Sequence, residues 1–126
     1  MDFFWVALGG AIGATSRYAL SLWLLKPHTV FPWSTWTINL VGCLLAGVFF
    51  ALSQRYSILQ QQPRLFFMVG ILGGFTTFSS FGLETFQLLK QGHLNVALSY
   101  VLSSVLFGLV LLVAAFVLTE LLLNSR

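Results

Sequence analysis

Charge is what this chain has least of. Six Lys and Arg and three Asp and Glu make it 7% charged over 126 residues, against about 25% in a soluble domain. With 58% hydrophobic residues and a mean hydropathy of +0.93, there is too little polar surface to cover a water-soluble globule. The solvent must be lipid. A single cysteine, Cys43, excludes an intrachain disulfide, and its place in an apolar run makes it a small buried side chain. The net charge of +3, scattered and without any basic run, excludes nucleic acid as a partner. Nothing forms a catalytic set: His28 and His93 fall in loops, no carboxylate pair lies within a span, and no nucleotide-binding loop exists. An enzyme is not expected. The start, MDFFWVALGG, has an acidic residue and no basic segment, so a membrane span is expected there in place of a cleaved leader.

What the chain does have is apolar length. Crossing the hydrocarbon takes about 20 mainly apolar residues, and four stretches qualify, at 3–25, 33–53, 65–89 and 94–119. Loop chemistry separates them: KPHTVFP with two prolines, QRYSILQQQPR with Pro63 suited to a first helical turn, and KQGHLN with Gly92 at a helix C-cap. Runs such as VLFGLVLLVAAFVL do not alternate as barrel strands would. The expectation is an all-α membrane protein, a single four-helix transmembrane domain over residues 1–126. Trp5, Trp23, Trp33 and Trp36 gather near span ends, as an interfacial belt requires. Gly9 and Gly13 in the first span, and Gly42, Ala46 and Gly47 in the second, allow close helix approach in lipid. Four such thin helices cannot enclose a wide aqueous path. Anything that crosses is small, or the chain oligomerises, or both.

Several polar residues resist a plain bundle. Arg17 lies inside the first span, where it either faces a polar cavity or snorkels to the interface. Asn39, early in the second, either ties helices together or lines a path. Glu84 reads as a solvated vestibule residue near the end of the third span. The most informative stretch is LGGFTTFSSFGLETF, residues 72–86. Gly73 and Gly74 weaken a helix, and Thr76, Thr77, Ser79 and Ser80 compete with its hydrogen-bond ladder. Non-helical backbone at membrane depth is tolerated only where it is buried in protein or lines a cavity. A break there would free carbonyl oxygens for a cation and N–H groups for an anion. The alternative is a glycine-rich helix crossing with its hydroxyls bonded back to their own helix. Phe78 and Phe81, three apart, share a helical face, and two positive ring edges on a narrow path suit a small anion.

These residues resemble the Fluc (CrcB-type) fluoride channels over essentially the whole chain. The resemblance rests on GGAIGATSRY, STWTINLVG, GILGGFTTFSSFGLET and the hydroxyl-bearing fourth span ALSYVLSSVLFG. It implies a passive, fluoride-selective channel of the bacterial inner membrane that exports fluoride from the cytoplasm. It implies an antiparallel, dual-topology homodimer with two pores along the subunit interface, the third helix of each subunit broken mid-membrane. It also implies a structural sodium at the dimer centre on backbone carbonyls, here of Gly73 and Thr76. By the same resemblance, the pore residues are Phe78, Phe81 and Asn39, with Arg17 near the entrance and a hydroxyl track beginning at Ser79 and Ser80. Where relatives often have serine or threonine in the fourth span, this chain has Gly108 and Leu112, which leaves Tyr100, Ser103 and Ser104 as the nearest polar candidates.

Two other classes compete. A small four-helix proton-coupled exporter needs a titratable carboxylate in its first span, and residues 3–25 contain none. A non-conducting membrane assembly subunit accounts for the glycines but not for Asn39 and the four hydroxyls. Charge bears on orientation. Arg55, Arg64 and Arg126 flank one side and Lys26 and Lys90 the other, a bias small enough for insertion both ways.

Overall fold

The computed structural model describes all residues, Met1–Arg126, and every regular element in it is helical. Helix α1 spans Asp2–Trp23 and α2 spans Trp33–Arg55, joined by the loop that carries Pro27 and Pro32. A 3₁₀ turn, Ser57–Gln60, follows. The chain then runs without interruption through α3 (Gln62–Arg64), a π-helical segment (Leu65–Leu72) and α4 (Gly73–Phe75). Helix α5 (Ser79–Lys90) continues in the same general course, and α6 (Leu94–Asn124) returns after a turn in which Gly92 takes φ +84°. Only glycine adopts that backbone region freely, which is why the turn sits there.

Three stretches are long and apolar enough to cross a membrane, Trp33–Arg55, Gln62–Lys90 and Leu94–Asn124. At 22 residues α1 is long enough too, but its glycines, hydroxyls and Arg17 leave it less apolar than these three. Only 16 of the 126 residues are buried, while Phe3, Trp23, Leu102 and Leu122 stand well exposed. An outward face this apolar is stable only against lipid or another protein.

Two close helix contacts hold the bundle. In the first, α1 lies against the π segment and α4. A Cβ on Gly9 would run into the Phe66 carbonyl, and one on Gly13 into the Ile71 carbonyl, with Phe75 N at 2.9 Å. In the second, α2 lies against α6, where a Cβ on Gly47 would strike the Leu112 carbonyl. Lipid offers no hydrophobic drive for helices to associate, so such backbone approach supplies much of the packing energy. Gly13→Ala should therefore lower the melting temperature in detergent by at least about 5 °C, since overpacking costs about 1–3 kcal/mol. Gly10, one turn away on the same helix, has nothing within 4 Å of its Cβ position. Gly10→Ala should leave melting unchanged or raised, so an equal fall in both variants would refute the close-approach account.

Candidate functional site

The helical course of the third stretch stops at Phe75, buried at the end of α4. Thr76 is extended, at φ −84° and ψ 158°, and helix resumes at Ser79. The interruption thus lies two to four residues beyond the double glycine. The reason is visible at Gly74, whose Cβ position lies 2.6 Å from the Gly10 carbonyl oxygen. Glycine serves there to admit α1, and the hydroxyl residues carry the break in the helical ladder.

Each polar group at the turn has a definite place. The Thr76 N–H and hydroxyl both donate to the Leu72 carbonyl, at 3.0 and 2.8 Å. The Thr77 hydroxyl oxygen accepts from the Ser80 N–H at 3.2 Å, in the manner of a helix N-cap, and pairs with the Ser79 hydroxyl at 3.3 Å. Asn39 clasps the turn from α2. Its Nδ2 donates to the Thr77 carbonyl at 3.0 Å, and its Oδ1 accepts from the Thr77 N–H at 2.9 Å. The sequence left open whether Asn39 ties helices or faces a path; its clasp ties them, and the residue also lines a groove.

That groove, of about 460 Å³, runs beside the turn and is lined by Asn39, Gly73, Thr76, Phe78, Phe81 and Ser104 among others. Phe78 is 84% exposed, and its ring lies 5.8 Å from that of Phe81. Ser104 offers a buried hydroxyl with no hydrogen-bond partner, whereas its neighbour Ser103 accepts from Trp36 Nε1 at 3.0 Å. At the break itself, the Thr76 carbonyl accepts no hydrogen bond and the Phe78 N–H donates none. The groove is therefore walled by apolar side chains and the two rings, with the unpartnered Ser104 hydroxyl buried at its lining and the unpaired backbone groups of Thr76 and Phe78 at the adjoining break.

Other residues singled out by sequence fall elsewhere. Arg17 and Ser80 line a second cavity of about 470 Å³, together with Thr35, Thr77 and Glu84. Ser79 is exposed and lines neither cavity. Tyr100 also lines neither; it is wholly buried and donates to Glu84 Oε2 at 2.8 Å. Glu84, expected as a solvated vestibule group, is half-buried and takes a second hydroxyl, that of Thr35 at 2.7 Å. Thr35 and this carboxylate cluster escaped the sequence reading. The available signal was a carboxylate one turn past the Phe78–Phe81 face, within reach of a tyrosine on the next helix.

A match to known proteins fixes the family. The CrcB-like protein, Camphor Resistance (CrcB) family profile matches residues 4–116. The chain belongs to the CrcB family. Among its CrcB relatives is a protein of Methylobacillus flagellatus named fluoride-specific ion channel FluC, 40% identical over 122 residues that cover 95% of each chain. Proteins of the same name from Saccharophagus degradans and Chloroflexus aurantiacus are 42% and 44% identical. The first match covers 91% of this chain and 86% of the relative, the second 83% and 84%. With its apolar helices, this CrcB chain is a multi-pass membrane protein.

Proposed function

We propose that the protein is a fluoride-selective passive ion channel, which lets fluoride leave the cytoplasm down its own gradient. Fluoride that enters as the neutral weak acid dissociates inside and needs only a selective path out. The observation that carries this reading is the groove at the helix break, with the unpartnered Ser104 hydroxyl beside the Phe78 and Phe81 rings and the Asn39 amide. Fluoride is small and holds its water tightly, so a selective path must replace that shell with hydrogen-bond donors and positive dipoles. A hydroxyl, an amide and ring edges do this without a fixed cation that would trap the ion. The matched relatives, named as fluoride-specific channels, support the same reading.

A single copy leaves the groove open along its length, and Phe78 projects from it. In this reading, a second copy in the opposite orientation closes two such grooves into two paths, with both third stretches, broken mid-membrane, at the centre. The backbone fits a structural sodium there. The Thr76 carbonyl is unpaired, Gly73 is exposed beside it, and no cluster of His, Cys, Asp or Glu competes as a cation site. Gly73 and Thr76 carbonyls would hold the ion, and its charge would hold two facing breaks together.

Proteoliposomes loaded with fluoride or chloride test the whole reading. Fluoride should leave rapidly and electrogenically while chloride stays. Equal release of both would sink selectivity, and release of neither would sink the channel. Preparation in sodium-free buffer should reduce the flux, and full flux there would remove the sodium. C-terminal reporter fusions should register on both sides of the membrane; a single orientation would exclude the antiparallel dimer.

A further inference from the structure

We infer that the cavity at the shared end of α2 and α6 is a headgroup site for an aminophospholipid of the phosphatidylethanolamine type, with Glu120 taking its ammonium and Arg55 its phosphate. The cavity holds about 120 Å³ and is lined by Gln54, Arg55, Glu120 and Asn124, with Ala51 and Leu123 as its apolar part. Its polar side chains begin where the apolar runs stop. The 33–53 run ends one residue before Gln54, and the 94–119 run ends one residue before Glu120. That is the depth at which a spanning helix leaves hydrocarbon for the headgroup layer.

The two charges share the cavity without neutralising each other. Arg55 and Glu120 form no ion pair; the guanidinium instead donates from Nη1 to Asn124 Oδ1 at 3.2 Å. A guanidinium carries five N–H donors in a fork that matches phosphate, so most of them remain for a ligand. Glu120 is half-buried and receives no hydrogen bond from any side chain. A carboxylate partly withdrawn from water needs a partner, and a primary ammonium supplies both the charge and the N–H groups. A zwitterion with phosphate at one end and ammonium at the other meets both needs at once. Toward the membrane centre the surface turns apolar. Phe50 and Phe116 lie one turn before Gln54 and Glu120 on the same helix faces, and their rings pack at 5.5 Å. Phe50, Val113 and Val117 are exposed there, a wall for acyl chains attached to a headgroup in the cavity. Such a wall favours a lipid over a free phosphoamine.

Lipid-dependent melting reads the site. The intact protein would be heated in detergent with phosphatidylethanolamine, phosphatidylcholine or phosphatidylglycerol added at equal mole fraction. Phosphatidylethanolamine should raise the melting temperature by about 5 °C over phosphatidylcholine. The trimethylated nitrogen of the latter has no N–H to give Glu120, and its methyl groups crowd so small a cavity. Phosphatidylglycerol, with the phosphate but no ammonium, should give less than about half of that rise. Glu120→Gln and Arg55→Gln should each remove most of it while melting like the parent in phosphatidylcholine. Lys90→Gln, at the end of α5 and outside the cavity, should keep the rise whole. Free phosphoethanolamine should not reproduce it; a rise equal to that with the lipid overturns the lipid assignment. An equal rise with all three lipids, or a rise retained in Glu120→Gln, overturns the inference. Native mass spectrometry of the parent chain decides independently of how the variants fold. It should retain phosphatidylethanolamine over phosphatidylcholine by about fivefold, and equal retention overturns the inference.

Discussion

Asn39→Asp should abolish fluoride flux while a folded protein is still recovered. The exchange keeps one half of the clasp, since a carboxylate oxygen can still accept from the Thr77 N–H where Oδ1 does so now at 2.9 Å. It loses the other half. Where Nδ2 now donates to the Thr77 carbonyl at 3.0 Å, a second carboxylate oxygen would face that carbonyl with like partial charge. It also fixes an anion on the groove wall. Two like charges about 4 Å apart repel by about 4 kcal/mol at an effective dielectric constant of about 20. That corresponds to roughly a thousandfold in rate at about 1.4 kcal/mol per tenfold. Asn39→Ala sets the comparison. It leaves both Thr77 backbone groups unpaired, at about 1–3 kcal/mol each, and so should lower stability more than the aspartate does while placing no charge in the path. If Asn39→Asp conducts at the parent rate, Asn39 serves only as the clasp and the path lies elsewhere.

Much of the helical order could be read before the structure, because hydrophobic length sets it. The expected 33–53 and 94–119 stretches begin where α2 and α6 begin, at Trp33 and Leu94, and the helices run on to Arg55 and Asn124. The polar ends of such helices need not stay within the hydrocarbon, so apolarity understates their length. The turn in the third stretch was harder to place. Glycines weaken helices in general, but Gly74 and Gly13 are small because another backbone lies against them, and only the folded chain shows which role a glycine has. The Glu84 cluster was hidden for a different reason. Its donors lie 49 and 16 residues away, and no local pattern links three helices. Tyr100, expected among pathway groups, proved to be a buried donor to that carboxylate. Ser103 and Ser104 are adjacent in sequence, yet Trp36 engages one and the other is left free. Such a distinction arises only from packing.

The aromatic pair gives the sharpest separation between a path and a core. Phe81 packs beside the cluster of Leu88, Ala97 and Tyr100, with its ring 5.0 Å from that of Tyr100. Phe81→Ile therefore mixes two effects, loss of a ring edge and a core change of about 1 kcal/mol. Phe78 carries no such burden, being 84% exposed on the single chain. Surface exchanges of that kind change stability by no more than about 0.5 kcal/mol. Phe78→Ile keeps an apolar side chain of useful bulk but removes the positive ring edge that would greet an anion. Losing about 1.4 kcal/mol of such stabilisation at the barrier slows passage about tenfold. Phe78→Ile should thus cut fluoride efflux at least about tenfold, with melting and size-exclusion behaviour like those of the parent. Phe81→Ile should cut it comparably, with a measurable fall in melting temperature. If Phe78→Ile conducts normally, the exposed ring is lipid-facing or a contact between copies, and the groove is not the fluoride path. If Phe78→Ile fails to assemble, its ring holds copies together, and retained flux in Phe81→Ile would then exclude the ring-edge mechanism.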